Sequence, residues 1–170
     1  DVLARAKVLW LNYPNNPTAS VAPLAFFEQA VDFCRRHGIL LVHDNAYSET
    51  GYDGYRAPSV LQAPGAQEVA VEFFSLSKAY NMAGMRVGAL VGNAEVVKTV
   101  AALKSNVDTG AFAAIEEAAI AALLGDQSWL QERQTIYRQR RDLCVAALRA
   151  LGCEVASPQA TIYLWARLPP

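Results

Sequence analysis

Cysteine is scarce and scattered. Cys34, Cys144 and Cys153 are the only three, an odd number with no metal-ligand spacing. That excludes a disulfide framework or a zinc site as the basis of the fold. Two of the three fall in helical patterns, where a buried thiol acts as a small hydrophobe. A reducing, cytoplasmic compartment is expected. Charge of one sign is also lacking, with 15 basic against 16 acidic side chains and no block of like charge. Binding to nucleic acid or an anionic lipid surface needs such a block, so neither a nucleic-acid nor a membrane partner is expected. No stretch reaches the roughly 18 to 20 apolar residues of a bilayer span, and the start lacks the blocks of a signal peptide. Repeats and low-complexity tracts are missing too. What remains is a chain of 170 residues, 53% hydrophobic, suited to one globular domain with part of a second. Asp1 is no initiator and Pro170 follows an apolar run, Ile162 to Leu168, so a fragment of a longer chain is expected.

The order of elements reads strand, helix, three strands, then helices. Lys7 to Leu11 is a strand apolar enough to be buried on both faces, stopped by the turn formers Asn12 to Thr18. A helix starts near Pro23, with Leu24, Phe27, Val31 and Cys34 at three- and four-residue steps and Gly38 as its C-terminal cap. Ile39 to His43 is the second strand, and a βαβ unit of this kind makes a parallel pair. A loop with one helical turn around Ser59 to Gln62 leads to the third strand, Val69 to Phe74. The next apolar run, Val87 to Val91, begins too soon after Lys78 for a parallel crossover of about a dozen residues, so the fourth strand is antiparallel. Helices are expected from Ala94 to Lys104 after the N-cap Asn93, from Ala111 to Leu124, and from about Ser128 to Leu151. The last carries Ile136, Leu143, Ala147 and Ala150 on one face; its basic side, with Arg138 and Arg141, reads as solvated. Cys153 to Val155 and Ala160 to Leu168 look like strands of a second, small domain. Trp10, Trp129 and Trp165 read as core or domain-interface residues.

Three parallel strands deliver polar residues at their C-terminal ends. Asn16 follows the first, Asp44 and Tyr47 the second, Ser75 and Lys78 the third, and Arg86 begins the returning strand at the same edge. Ligands of open α/β sheets bind at that edge. A lysine there can join a carbonyl, an aspartate can hold a proton on a ring nitrogen, and a hydroxyl with an arginine can hold a phosphate. A pyridinium aldehyde phosphate meets all three demands. His43, one residue before Asp44, points to the other face of the strand.

Asn15-Asn16-Pro17-Thr18, Asp44-Asn45-Ala46-Tyr47, and the run from Ser75 to Gly88 (SLSKAYNMAGMRVG) resemble, in order and separation, the signatures of the class I/II aminotransferases of fold type I, which depend on pyridoxal 5′-phosphate. With the later KSNVDTGAF they are most similar to the branch of alanine-type and LL-diaminopimelate-type enzymes. Ala19 and Met85 depart from the commonest pattern at positions that are not cofactor ligands. The resemblance implies an α/β fold of three layers, a mostly parallel sheet with one antiparallel strand. Residues 1–125 would be part of the cofactor-binding large domain, and 126–170 a linking helix with the start of a small α+β domain.

It also implies roles. Lys78 carries the cofactor as a Schiff base and moves a proton, Asp44 pairs with the pyridine nitrogen, and Asn16 and Tyr47 hydrogen-bond the ring's phenolic oxygen. Ser75 and Arg86 hold the phosphate, Arg86 through a fork that lysine cannot reproduce. The catalytic set is thus Lys78, Asp44 and Tyr47. The implied activity is transfer of an amino group from an amino acid to a 2-oxo acid, by a cytoplasmic homodimer in the full-length protein. Two alternatives stay open: another reaction on the same scaffold, such as a C–S β-lyase or cyclase, and an aminotransferase-like sensor domain of a transcription regulator.

Overall fold

The computed structural model describes residues 2–170. Its centre is a four-stranded sheet: β1 (Val8–Asn12), β2 (Leu40–Asp44), β3 (Ala70–Ser75) and β4 (Gly88–Gly92), in the order β1-β2-β3-β4. The first three strands are parallel and β4 is antiparallel to β3, as the short connection requires. Helix α1 (Leu24–His37) makes the crossover between β1 and β2, and Gly38 ends it at φ +63°, a left-handed conformation costly for a residue with a Cβ. Short helices α2 (Ala66–Val69) and α3 (Leu76–Ala79) flank β3. Helices α4 (Ala94–Lys104), α5 (Ala113–Leu124) and α6 (Trp129–Ala150) follow β4. Asn93 caps α4 by accepting from the Val96 N–H at 3.0 Å.

One face of the sheet is sealed. Phe27, Val31 and Cys34 of α1 lock against Ile39, Leu41 and Ala70, and Val60 and Ala66 close the end of the cluster. Each fully buried side chain of this size contributes roughly 1.5 to 3 kcal/mol. The opposite face is buried only at Val42 and Val71; Val8, Trp10 and Phe73 are 51%, 57% and 38% exposed. The expectation that β1 is buried on both faces therefore fails. Trp10 instead stacks on Phe73, with ring centroids 5.7 Å apart, across the uncovered surface. Trp165, at 62% exposed, is likewise no core residue.

Helix α6 reverses the expected amphipathic orientation. Ile136 and Leu143 are 42% and 72% exposed, whereas Arg133 is buried and the Arg141 side chain is nearly so, at 9%. The reason is pairing. Arg141 donates to the Asp53 carboxylate at 2.7 Å and to the Pro158 carbonyl at 3.0 Å, and its guanidinium lies 4.9 Å from the Tyr52 ring centroid. Arg138, with its side chain 47% exposed, keeps the solvated position expected of it.

The expected long final strand is also replaced. Two residues, β5 (Glu154–Val155), pair antiparallel with two, β6 (Ala166–Arg167). Between them Thr161 turns to φ +73°, its N–H donating to the Thr50 carbonyl at 3.0 Å and its carbonyl accepting from the Tyr52 hydroxyl at 2.5 Å. Those bonds divert the backbone from a ladder. Among the described residues no helix is long and apolar enough to cross a membrane.

Candidate active site

The turn after β1 is built from asparagine side chains that replace a backbone ladder. Asn12 donates to the Asp44 carbonyl at 3.0 Å and accepts from the Asn16 N–H at 2.9 Å. Asn15 accepts from the Thr18 N–H and hydroxyl. Asn16 is thereby held, exposed, beside the end of β2. Asp44 ends β2 half-buried, and its carboxylate has no hydrogen bond or ion pair among the described residues. The next residue extends the strand pairing, its N–H donating to the Phe73 carbonyl at 3.0 Å.

Tyr47 is 4% exposed. Burial, reinforced by a hydrogen bond with Tyr163 and the charges of Tyr163 and Asp44, pushes its phenol well above the ordinary tyrosine value. Ser75 ends β3 and caps α3, accepting from the Ser77 N–H at 3.2 Å, so its own proton is free to donate. Lys78 is half-buried on α3, and its amine has no partner among the described residues. Arg86 is exposed and sits just before β4, not within it, at φ +54°. Its guanidinium donates to the Ala83 carbonyl at 3.0 Å. Ser75 pairs with Gly88, and the Leu76 N–H donates to the Val87 carbonyl at 3.2 Å, so the pairing runs on past the strand end and brings Arg86 to the start of α3. Gly88 permits this closeness, since a Cβ there would stand 2.6 Å from the Phe74 carbonyl oxygen.

The sheet thus brings Asn16, Asp44, Tyr47, Ser75, Lys78 and Arg86 to one edge. A half-buried carboxylate and an amine without protein partners, beside a free hydroxyl and a guanidinium, suit a ligand with a protonated ring nitrogen, a carbonyl and an anionic group. A separate polar cavity of about 840 Å³, lined by Glu49, Tyr55, Gln131 and Arg138 among others, lies beyond loop 48–57 and includes none of these residues.

Three supporting features escaped the sequence reading. The first is Arg133, whose guanidinium donates to the carbonyls of Lys78 at 2.9 Å, Glu49 at 2.5 Å and Ala79. It ties the end of α3 to loop 47–50, and nothing in the pattern of α6 set it apart from its neighbouring arginines. The second is Tyr163, concealed in an apolar run. The third is a buried pair, His43 and Glu72, opposite each other in the parallel register; its signal was an acid inside the apolar VAVEFF strand. Glu72 accepts from His43 Nδ1 at 2.9 Å, the Ser59 hydroxyl at 2.8 Å, the Val60 N–H at 2.9 Å and the Asn45 amide at 3.1 Å. Burial alone would raise its pKa, but the hydrogen bonds from His43, Ser59 and Asn45 outweigh that and hold the carboxyl below the usual glutamate value. His43 Nε2 faces the Tyr13 carbonyl at 2.8 Å, an acceptor only. Both ring nitrogens therefore lie against oxygen atoms, which fixes the imidazole between β3 and the turn after β1.

The family profile described as Aminotransferase class I and II matches residues 2–170. The chain belongs to the class I and II aminotransferases. Among curated aminotransferase relatives, it is 53% identical over its whole length to LL-diaminopimelate aminotransferase 2 of Trichormus variabilis, of which it covers 44%. It is 52% identical over 169 residues to the LL-diaminopimelate aminotransferase of Moorella thermoacetica, covering 99% of this chain and 43% of that protein. Of solved structures, the probable N-succinyldiaminopimelate aminotransferase of Thermus thermophilus superposes with TM-score 0.92 at 42% identity, over 99% of this chain and 45% of that one. Apo-BacF of Bacillus subtilis gives 0.94 at 40% identity, over 99% and 45%. The mostly parallel sheet with one antiparallel strand is that of this aminotransferase fold. The chain spans a little under half the length of the curated relatives it matches.

Proposed function

We propose that the protein of which this chain is a part is a pyridoxal 5′-phosphate-dependent aminotransferase, moving an amino group from an amino acid to a 2-oxo acid. The observation that carries the reading is the convergence of Lys78, Asp44, Tyr47, Asn16, Ser75 and Arg86 on one sheet edge of a class I and II aminotransferase chain. Bound there, the cofactor supplies an aldehyde for an amine to join and a ring that accepts the electron pair left when a Cα proton departs.

The chain's own residues do the rest. Lys78 Nζ, half-buried and without a partner among the described residues, would hold the cofactor through its aldehyde and, when free, would carry the substrate's Cα proton. The Asp44 carboxylate would pair with the ring nitrogen and keep its proton in place. Asn16 and Tyr47 donate to the phenolic oxygen. The Ser75 hydroxyl and the Arg86 guanidinium would hold the phosphate, Arg86 through charge-assisted hydrogen bonds. Residues 1–125 form part of the cofactor-binding domain and 126–170 a linking helix with the start of a small domain, in a cytoplasmic homodimer.

The test uses the full-length protein: a visible cofactor band, borohydride fixation followed by peptide mapping, and a panel of amino donors that begins with LL-diaminopimelate, the amino acid in the relatives' names. Fixation on Lys78 with donor-dependent bleaching of the band is expected. A band that survives Lys78→Ala as a borohydride-reducible protein adduct would remove Lys78 from the role.

A further inference from the structure

Tyr163 lies 116 residues beyond Tyr47, yet their hydroxyl oxygens are 2.8 Å apart. The rings meet edge to face, with centroids 5.6 Å apart and planes at 71°. This placement is fixed from several sides. The Tyr52 N–H donates to the Gln159 carbonyl at 2.8 Å and the Thr161 N–H to the Thr50 carbonyl at 3.0 Å. Gly51 and Ala160 pair as a single antiparallel bridge, and the Tyr52 hydroxyl caps the Thr161 carbonyl. Arg141 holds the start of the segment through the Pro158 carbonyl. Residues 158–163 are therefore bolted onto the loop that carries Tyr47, and the Tyr163 hydroxyl is delivered to the Tyr47 oxygen by a rigid frame.

A phenol has one proton to give and an oxygen that accepts. Tyr47 is too buried for water to serve it freely. We propose that Tyr163 is a positioning residue for Tyr47: its hydroxyl donates to the Tyr47 oxygen, so that the single Tyr47 proton points at the phenolic oxygen of the cofactor. This rests on the function proposed above. In a chain of two hydrogen bonds each donor polarises the next, so Tyr163 strengthens the bond Tyr47 makes. A stronger bond to the phenolic oxygen lowers its negative charge and with it the proton affinity of the neighbouring nitrogen that joins the cofactor to Lys78. Tyr163 then sets the pH at which that nitrogen loses its proton, without touching the cofactor.

The test is Tyr163→Phe in the full-length holoenzyme, which keeps the ring contact and removes only the hydroxyl. The pH titration of the visible cofactor band should shift its midpoint upward, in the same direction as Tyr47→Phe and by less. The double variant should titrate like Tyr47→Phe alone, because the effect passes through Tyr47. In the cofactor-free protein, the tyrosine Raman doublet should report loss of an accepting phenol in Tyr163→Phe. A normal wild-type band whose midpoint is unmoved in Tyr163→Phe, or additive shifts in the double variant, would overturn this inference alone. Absence of any cofactor band from the wild type would remove the proposed function and this inference with it.

Discussion

The two faces of the sheet are made from the same strands and do different work. On the α1 side, Phe27, Val31, Cys34 and Leu41 are fully buried, and even the polar pair His43 and Glu72 is enclosed with its donors and acceptors matched. On the other side, Trp10 and Phe73 stack in the open, and the row ends at Asp44 with an unpartnered carboxylate. Strand alternation puts consecutive residues, His43 and Asp44, on opposite sides. A polar group with its partners matched holds the frame, and one without a partner among the described residues, a single residue along, stays open at the sheet edge. Reactive groups stay available because stability is drawn from the face they do not use.

That contrast can be broken in graded ways. Lys78→Ala in the full-length protein should lower transamination by about 10⁴-fold or more while leaving the denaturation midpoint close to wild type; a large stability loss would mean the open edge also bears the fold. Phe27→Ala should do the opposite, removing about 3 to 5 kcal/mol of stability in urea unfolding, with cofactor binding retained in the fraction still folded. Glu72→Gln removes the buried carboxylate that accepts from His43, Ser59, Asn45 and the Val60 N–H and should cost about 1 to 3 kcal/mol in urea unfolding near neutral pH.

The pH dependence of that pair has a definite sign. The folded-state value of Glu72 lies below the unfolded one, so its stabilisation is complete above the ordinary glutamate range and is lost as pH falls through the lower folded value. Unfolding free energies measured across that acid window should fall for the wild type and stay flatter for Glu72→Gln; parallel curves would show that the carboxylate is not the group concerned. Smallest of all, Trp10→Ser in residues 1–170 should shift stability by about 1 kcal/mol or less, the scale of an exposed ring pair. A loss of several kcal/mol would show this face to be sealed after all.

Much of this was legible in the sequence. The order of elements along the chain, the antiparallel β4 and helix α4 with its Asn93 cap follow from apolar periodicity, turn residues and connection length, which are local signals. The candidate residues were legible because each lies at a strand end, where the chain passes from core to edge. The illegible parts depend on distant partners. An arginine on α6 carries no mark that three carbonyls await it, so the helix was oriented by its apolar stripe and came out reversed. Thr161 breaks the expected last strand because Thr50 and Tyr52, more than 100 positions away, capture its backbone. Tyr163 looked like one more apolar-strand residue for the same reason.

The grip of Arg133 has a consequence for how freely this sequence can drift. Its partners are main-chain oxygens of Glu49, Lys78 and Ala79, which every amino acid presents alike. The Glu49 side chain can therefore vary without removing any of these bonds. A proline or a one-residue insertion that rotates any of those carbonyls is not tolerated, because the fork reads the path of the backbone and nothing else.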